Sequence, residues 1–279
     1  MKKRRVVVWG ASGKTGRALT AALSTGGFCV QGISRYPRAS DGGVTWWSPQ
    51  DLDQAMDGAS AAWLIAPNMY PDEVELARYF SHAAARGGVM RLGYHSVLNP
   101  CDRTMPHHVR KGCAEETLQE IHDDVVIVRP SAYHQNLSPS AIAGEIAVPY
   151  RVDAPFATVD LRDVAEASAA LLSQQEPPER VVELVGPERL TVFDMADRAT
   201  TALGRPVTAT RRSVPRDVPG DLAAMFAAYD RSGLLPLSGA SSGPMERLLG
   251  RAATTWEEHL VCAERRGSAH MTRMIDLTQ

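Results

Sequence analysis

Short apolar runs alternate with amphipathic segments in the first half of the chain. Each run is apolar at consecutive positions, which is typical of a strand buried on both faces of a sheet. The predicted strands cover residues 5–9, 28–34, 61–65, 88–94 and 125–128. Between them, helical periodicity predicts helices at 17–23, 48–56, 71–86 and 106–121. This order predicts right-handed βαβ units and an α/β fold with a Rossmann-type, doubly wound parallel sheet.

The pattern becomes less regular after Pro130. Shorter elements are predicted there, with helices at 161–174, 191–203 and 219–229, a strand at 181–185 and a loop at 234–244. Residues 265–279 have little periodicity, so no regular structure is predicted for this tail. We therefore expect two domains, a Rossmann-type domain at 1–150 and a smaller α+β lobe at 151–279 that is interleaved with the sheet.

A glycine-rich turn joins the first predicted strand to the first predicted helix. Gly10, Gly13 and Gly16 occupy it, in the context that a dinucleotide-binding fingerprint requires, although the spacing is GxxGxxG rather than GxGxxG. Gly10 would allow the tight turn, Gly13 the approach of a pyrophosphate, and Gly16 close packing of helix on strand. The 1–150 domain is therefore predicted to bind NAD(P). The alternative is a glycine-rich turn that binds nothing.

The expected cofactor-binding residues surround this turn and follow the third predicted strand. They are Gly10, Ser12, Gly13, Lys14, Thr15, Gly16, Ala66 and Pro67. After the second predicted strand, where an acid would bind the ribose of NAD, the chain has Ser34 and Arg35 instead. A guanidinium suits a 2′-phosphate, so NADP(H) is favoured over NAD(H). Alternatively, Arg35 and Arg38 form a solvated basic loop.

Composition narrows the classes of partner. The 279 residues carry 30 basic and 32 acidic side chains, a balance that does not favour nucleic acid or a membrane surface. The basic start, residues 1–5, is followed by an apolar stretch too short for a secretion signal, so a cytoplasmic protein is predicted. Four cysteines without CxxC spacing predict neither disulfides nor a metal site. We expect a small-molecule substrate and a monomer or homodimer.

Several motifs, in order along nearly the whole chain, carry a family resemblance. They are the segments 10–16, 57–60, 111–118, 128–130, 159–165, 184–188 and 203–206, together with Arg35 and Asn136. The chain resembles the NmrA-like group of atypical short-chain dehydrogenases/reductases, which includes quinone- and iminium-reducing relatives. One departure is that Trp46 and Trp47 stand near the position where the family usually has an aspartate.

The resemblance implies candidate catalytic residues. Short-chain dehydrogenases use a serine and, on a helix, a tyrosine and a lysine one turn apart. Ser96 and Lys111 match the serine and the lysine, whereas His107 stands at the tyrosine position. The expected catalytic residues are thus Lys111, His107 and Ser96, with Lys111 also binding the cofactor. The residues expected to bind substrate lie at the end of the fourth predicted strand and after the fifth: Tyr94, Tyr133, His134 and Asn136.

Two functions from different classes fit these residues. An NADPH-dependent reductase acting on an enone, quinone or iminium needs no strong protein acid, which agrees with the missing tyrosine. A redox-sensing regulator that binds dinucleotide without turnover is the alternative, as the resemblance to NmrA-like proteins implies. A third possibility, an isomerase or cyclase, remains open because the fold alone does not define the reaction.

Overall fold

The predicted alternation of strands and helices is present in the computed structural model, which describes residues 4–37, 43–177 and 179–276. The strands are β1 (Arg5–Trp9), β2 (Cys29–Ile33), β3 (Val44–Trp47), β4 (Ala61–Leu64), β5 (Arg91–His95), β6 (Val125–Pro130), β7 (Ala132–Tyr133), β8 (Glu145–Val148), β9 (Phe156–Val159), β10 (Val181–Leu184), β11 (Arg189–Leu190) and β12 (Thr208–Arg211). The helices are α1 (Lys14–Thr25), α2 (Leu52–Met56), α3 (Glu73–Arg86), α4 (Pro106–Ile121), α5 (Ser138–Ile142), α6 (Leu161–Ser173), α7 (Val192–Leu203), α8 (Gly220–Ser232), α9 (Gly243–Leu249) and α10 (Trp256–Asp276).

The central sheet confirms the predicted fold class. Within the described residues it has seven strands, all parallel, in the order β10-β6-β5-β4-β1-β2-β3. The chain runs outward from β1 through β2 to β3 and then crosses to β4 on the other side of β1. This reversal is the topological switch point of a doubly wound sheet, where ligands bind beyond the carboxyl ends of the strands. It places the loops that follow β1 and β4 beside each other.

The strand β1 lies at the centre because its side chains are apolar on both faces. Val6, Val7 and Val8 are all fully buried. Val7 pairs with Gln31 on one side and with Ala62 on the other. Helices α3 and α4 pack together over one face of the sheet, and α1 packs against α6. The pairing and burial of β1 thus fix the position of the glycine turn that follows it.

Two predictions about individual elements are wrong. The pattern did not indicate β3, the strand that contains Trp46 and Trp47. A four-residue edge strand is too short to produce a clear period, and β3 forms because it pairs with β2, where the Trp46 ring packs against Gly32. The second error concerns 265–279, because α10 continues to Asp276. Its start is anchored by the fully buried Trp256, and extending a helix is easier than nucleating one.

The described chain packs as two compact units. The first unit comprises residues 1–130, 161–184 and 243–251 and contains the seven-stranded sheet. The second comprises residues 131–160, 185–242 and 252–279 and contains a three-stranded sheet, β11-β9-β7, and the pair β12-β8. The chain therefore leaves the first unit at Pro130 and returns to it twice. Over the part of the chain that is described, no helix has the length and apolar character needed to cross a membrane.

Candidate functional site

Two of the three fingerprint glycines are required by the fold itself. Gly10 has a φ of 76°, and a Cβ atom there would lie 2.4 Å from the carbonyl oxygen of Ile65. A Cβ atom at Gly16 would lie 2.1 Å from the carbonyl oxygen of Gly10. Both positions bring backbones closer than any side chain allows. These two glycines therefore set the turn and the packing of α1 on the sheet, as the sequence predicts.

The third glycine is different. Gly13 has extended backbone angles, with φ −71° and ψ 171°, that any residue adopts. Among the described residues, the atom nearest to a Cβ placed there is the Gly10 carbonyl oxygen, at an ordinary 3.4 Å. Gly13 is exposed and immediately precedes α1. Nothing in the described protein thus requires glycine here, whereas a ligand approaching the α1 backbone would, because a side chain would fill its place.

The end of β2 is tied to this turn. The Ser34 hydroxyl donates a 3.0 Å hydrogen bond to the hydroxyl of Ser12 and accepts one from the backbone N–H of Tyr36 at 3.2 Å. The side chain of Arg35, between these residues, is exposed. Arg38 lies outside the described residues. The arrangement brings a cation to the same edge of the sheet as the turn.

Lys14 adds a second cation at the first position of α1. The residue is exposed, and partial desolvation lowers the pKa of its ammonium. Thr15 follows it in the first turn, and no acidic residue lies in that turn. Ala66 and Pro67 lie just beyond the end of β4, next to the loop after β1. All the residues expected to bind the cofactor through the turn therefore lie at the switch point of the sheet.

Lys111 lies in a buried ion pair. From α4, its Nζ donates to Glu73 Oε1 at 2.6 Å and to the carbonyl oxygen of His95 at 3.3 Å. The same Glu73 oxygen accepts the Tyr94 hydroxyl at 2.6 Å. Burial raises the pKa of Tyr94 well above its usual range, and the charge of Glu73 adds to this effect. Tyr94 was expected to bind substrate, but its side chain is fully buried in the hydrophobic core of the first unit.

Ser96 lies in a second buried network. Its hydroxyl donates to Glu115, four residues after Lys111 on α4, and Arg129 grips that carboxylate with its Nε donating at 3.0 Å. The shared carboxylate raises the pKa of Arg129. Lys111 and Glu115 thus lie one turn apart on α4, and Ser96, which follows β5, and Lys111 are each held by a different glutamate.

The histidines near this helix are buried. His107 and His108 are in edge-to-face contact, with ring centroids 4.4 Å apart. His108 Nδ1 lies 3.2 Å from the carbonyl oxygen of Asn99, and burial lowers the pKa of this ring. Burial, assisted by the charge of Lys111, lowers the pKa of His95 to about 3, so its imidazole is neutral at physiological pH.

The remaining residues expected to bind substrate belong to the second unit. Tyr133 is half-buried, His134 buried and Asn136 exposed. His134 lies beside Asp160 and His259, and the candidate metal-binding atoms of the three residues are within 4.8 Å of one another. This spacing is looser than the about 3.4 Å between ligands of a tetrahedral zinc ion. Asp160 also accepts hydrogen bonds from Gln135 at 2.7 Å and His259 at 2.9 Å, so the group forms a hydrogen-bonded core of the second unit.

Sequence reasoning missed the two glutamates that hold the predicted polar groups. Glu115 could have been found, because it is one turn from Lys111 and so shares its face of α4. Glu73 gave no such signal, since its place in the first turn of α3 fits an ordinary acidic helix start. Its contact with Lys111 crosses 38 residues of sequence.

The sheet order, the switch point and the glycine turn define the architecture of the Rossmann-type nucleotide-binding proteins. Within that class, the chain belongs to the NmrA-like family, whose model matches residues 2–260. The family resemblance predicted from the motifs is thereby confirmed.

Known proteins of similar sequence and structure include reductases and a regulator. A (4-alkanoyl-5-oxo-2,5-dihydrofuran-3-yl)methyl phosphate reductase from Streptomyces griseus is 28% identical over 217 residues, 72% of this chain and 75% of the relative. An NADPH-dependent quinone oxidoreductase from Escherichia coli, solved with NADPH, superposes with a TM-score of 0.75 at 22% identity, over 91% of this chain and 98% of that one. The negative transcriptional regulator NmrA, solved with NADP, superposes with a TM-score of 0.75 at 16% identity, over 94% of this chain and 95% of that one. At these identities the structural likenesses demonstrate the fold.

Proposed function

We propose that this protein is an NADPH-dependent reductase that delivers hydride to a conjugated or charged small-molecule acceptor, an enone, a quinone or an iminium ion. The observation that carries the proposal is Gly13, a glycine that the protein's own packing does not need, at the amino end of α1. A helix amino terminus without a side chain in front of it suits a pyrophosphate. The reductases among the relatives support the redox chemistry.

The residues divide the work of holding such a cofactor. The backbone around Gly13 would bind the pyrophosphate, Arg35 and Lys14 the 2′-phosphate, and Lys111 the nicotinamide ribose. When bound, NADPH supplies the hydride. The protein orients the acceptor and excludes water from it. Because an iminium carbon already carries positive charge, its reduction does not require the histidine at position 107 to replace a catalytic tyrosine.

A dinucleotide-binding regulator is the second candidate. It is favoured by the hydrogen bonds of Lys111 and Ser96, because both side chains donate to buried carboxylates of the protein. NmrA, which was solved with NADP, is a transcriptional regulator with the same fold.

One experiment separates the candidates. NADPH oxidation would be followed by stopped-flow absorbance with a panel of enones, quinones and iminium ions, next to calorimetry of NADPH binding. A reductase binds NADPH and oxidises it with at least one class of acceptor. Tight NADPH binding with the whole panel inert would favour the regulator, and the absence of NADPH binding would refute both.

Arg35→Ala should reduce the preference for NADPH over NADH. Losing one charge-assisted contact to a phosphate weakens binding by about 10- to 100-fold, and only NADPH has the 2′-phosphate. Calorimetry of both nucleotides on wild type and variant checks this. Arg86→Ala, which removes another exposed arginine of the first unit, is the control and should change neither affinity. Equal affinities of the wild type for NADH and NADPH would refute the role of Arg35.

His107→Ala should have an effect that depends on the acceptor. A general acid contributes about 10²- to 10⁴-fold to a rate, but an iminium ion needs no proton when it receives hydride. We therefore expect turnover of iminium acceptors to fall less than about tenfold and turnover of enones or quinones to fall more. Equal losses with both acceptor classes, measured by NADPH oxidation, would show that His107 acts on packing rather than on protons.

A further inference from the structure

The side chain of Glu73, on α3, forms a buried ion pair with Lys111 on α4. Glu73 is the first residue of α3, yet its side chain is only 1% exposed. It accepts from Lys111 and from Tyr94 on the same oxygen, both at 2.6 Å. The two donors come from α4 and β5, so a single carboxylate joins three elements. A buried carboxylate with two donors holds both in fixed positions.

The hydrogen bonds that the Lys111 ammonium makes within the protein determine what it can offer to a ligand. One N–H goes to Glu73 and one to the carbonyl oxygen of His95, at the carboxyl end of β5. Among the described residues these two groups accept from Lys111, and because an ammonium group has three donors, one N–H remains for a ligand. The Nζ atom also lies 5.5 Å from the centre of the Tyr94 ring, which favours its positive charge.

We propose that Glu73 is the positioning residue of Lys111: its carboxylate, held in place by Tyr94, fixes the direction of the ammonium, so that a third N–H is presented to the nicotinamide ribose. The effect on the cofactor rests on the proposed function. Tyr94, which the sequence suggests as a substrate contact, acts through Glu73 instead. The ammonium is the group that binds, and Glu73 sets its direction.

Glu73 provides the negative charge that pairs with the Lys111 ammonium. An ammonium left in a buried site without its carboxylate gives up its proton more readily. The ionisable groups around it come from α3, β5 and α4: Glu73, Tyr94, His95, His107, His108 and Glu115. Of these, His95 is neutral, and Glu115 is engaged by Arg129. Among the described residues, Glu73 is therefore the carboxylate that pairs directly with Lys111.

The scarcity of lysine makes this testable without cofactor. The chain has four lysines, Lys2, Lys3, Lys14 and Lys111, so protein labelled with carbon-13 at the lysine ε-carbon gives few signals. Lys111→Arg identifies the Lys111 signal by its loss. In Glu73→Gln, the pH midpoint of that signal should fall by about one unit or more. Glu73→Asp should recover most of the shift, because it restores the carboxylate.

NADPH affinity provides the second measurement, on the same proteins between pH 6.5 and 9. Glu73→Gln should bind NADPH about tenfold more weakly than wild type because the ammonium is no longer held in place, and the loss should grow somewhat towards the upper end of this pH range. Tyr94→Phe, which keeps the carboxylate, should show a smaller loss of the same kind. Asp163→Asn is the matched control, a buried carboxylate of the same unit paired with Arg251. It should change neither the Lys111 signal nor the pH dependence of binding.

The outcomes are distinct. An unchanged Lys111 midpoint in Glu73→Gln overturns the proposal, as does a shifted midpoint with wild-type NADPH affinity at every pH. A wild type that binds no NADPH overturns the proposed function and the cofactor role of Glu73 with it. A wild type that binds NADPH but does not turn over leaves the Glu73 result valid and refutes only the reductase. If Glu73→Gln does not fold, Tyr94→Phe carries the comparison, and a Tyr94→Phe variant with wild-type Lys111 signal and wild-type NADPH affinity then overturns the proposal.

Discussion

Gly13→Val is expected to abolish NADPH binding while leaving the protein folded. The backbone at Gly13 has angles that valine adopts, and a Cβ atom there meets the Gly10 carbonyl oxygen only at 3.4 Å. The branched side chain would instead project in front of the first turn of α1, where the pyrophosphate is proposed to bind. We expect the affinity for NADPH to fall by more than about 100-fold, because the backbone contacts and the helix terminus are lost together.

Two further glycines provide the comparison. Gly26 lies at the other end of α1, and its Cβ would also meet its nearest neighbours at 3.4 Å. Gly26→Val should therefore leave NADPH binding unchanged. Gly16→Val should do the opposite of Gly13→Val and destabilise the fold, since its Cβ would lie 2.1 Å from a backbone oxygen. Circular dichroism reports the fold and calorimetry the binding. A folded Gly13→Val variant with normal affinity would place the nucleotide site elsewhere.

Lys111→Met is expected to destabilise the protein strongly, whether or not cofactor is present. The side chains of Lys111 and Glu73 are only 10% and 1% exposed, and the substitution leaves the glutamate buried without its cation. Removing one partner of a buried ion pair lowers the free energy of unfolding by about 3–5 kcal/mol. For a protein of this size that corresponds to a decrease in melting temperature of roughly 6–15 °C.

The other internal lysine gives the control. Lys14→Met makes the same change at an exposed position and should alter the melting temperature by no more than a few degrees. The double variant Lys111→Met/Glu73→Gln should regain part of the loss, because no charge is then left unpaired. Calorimetric melting of the three variants measures this. A double variant less stable than Lys111→Met alone would contradict the conclusion that the unpaired Glu73 carboxylate causes the destabilisation.

The sequence predicted the elements of the first unit well where their period was long. The helix at 106–121 has the same bounds in the structure, and the strand at 5–9 does too. Both signals are local, since a run of apolar residues or a helical period is complete within one element. The edge strand β3 and the continuation of α10 were missed because neither has its own period. Each depends on a neighbour, β2 for the first and the buried anchor of Trp256 for the second.

The candidate site divides in the same way. The glycine turn, Arg35 and the absence of an acid after β2 could be identified from sequence, because those residues are contiguous with the strands that place them. Only the tertiary structure separated Gly13 from Gly10 and Gly16, since the clashes that fix the latter two involve backbone atoms brought near by the fold. The partners of Lys111 and Ser96 likewise required the structure.

By itself, then, the sequence determined the fold class, the family and the position of the glycine turn, all of which follow from local periodicity and short contiguous motifs. The tertiary structure decided which polar groups meet. Glu73 reaches Lys111 because α3 and α4 pack side by side on one face of the sheet, and Tyr94 points into the core beneath them because β5 is buried on both faces. Contacts of this kind join residues far apart in the chain, and they exist only once packing has excluded water and fixed the distance between the elements.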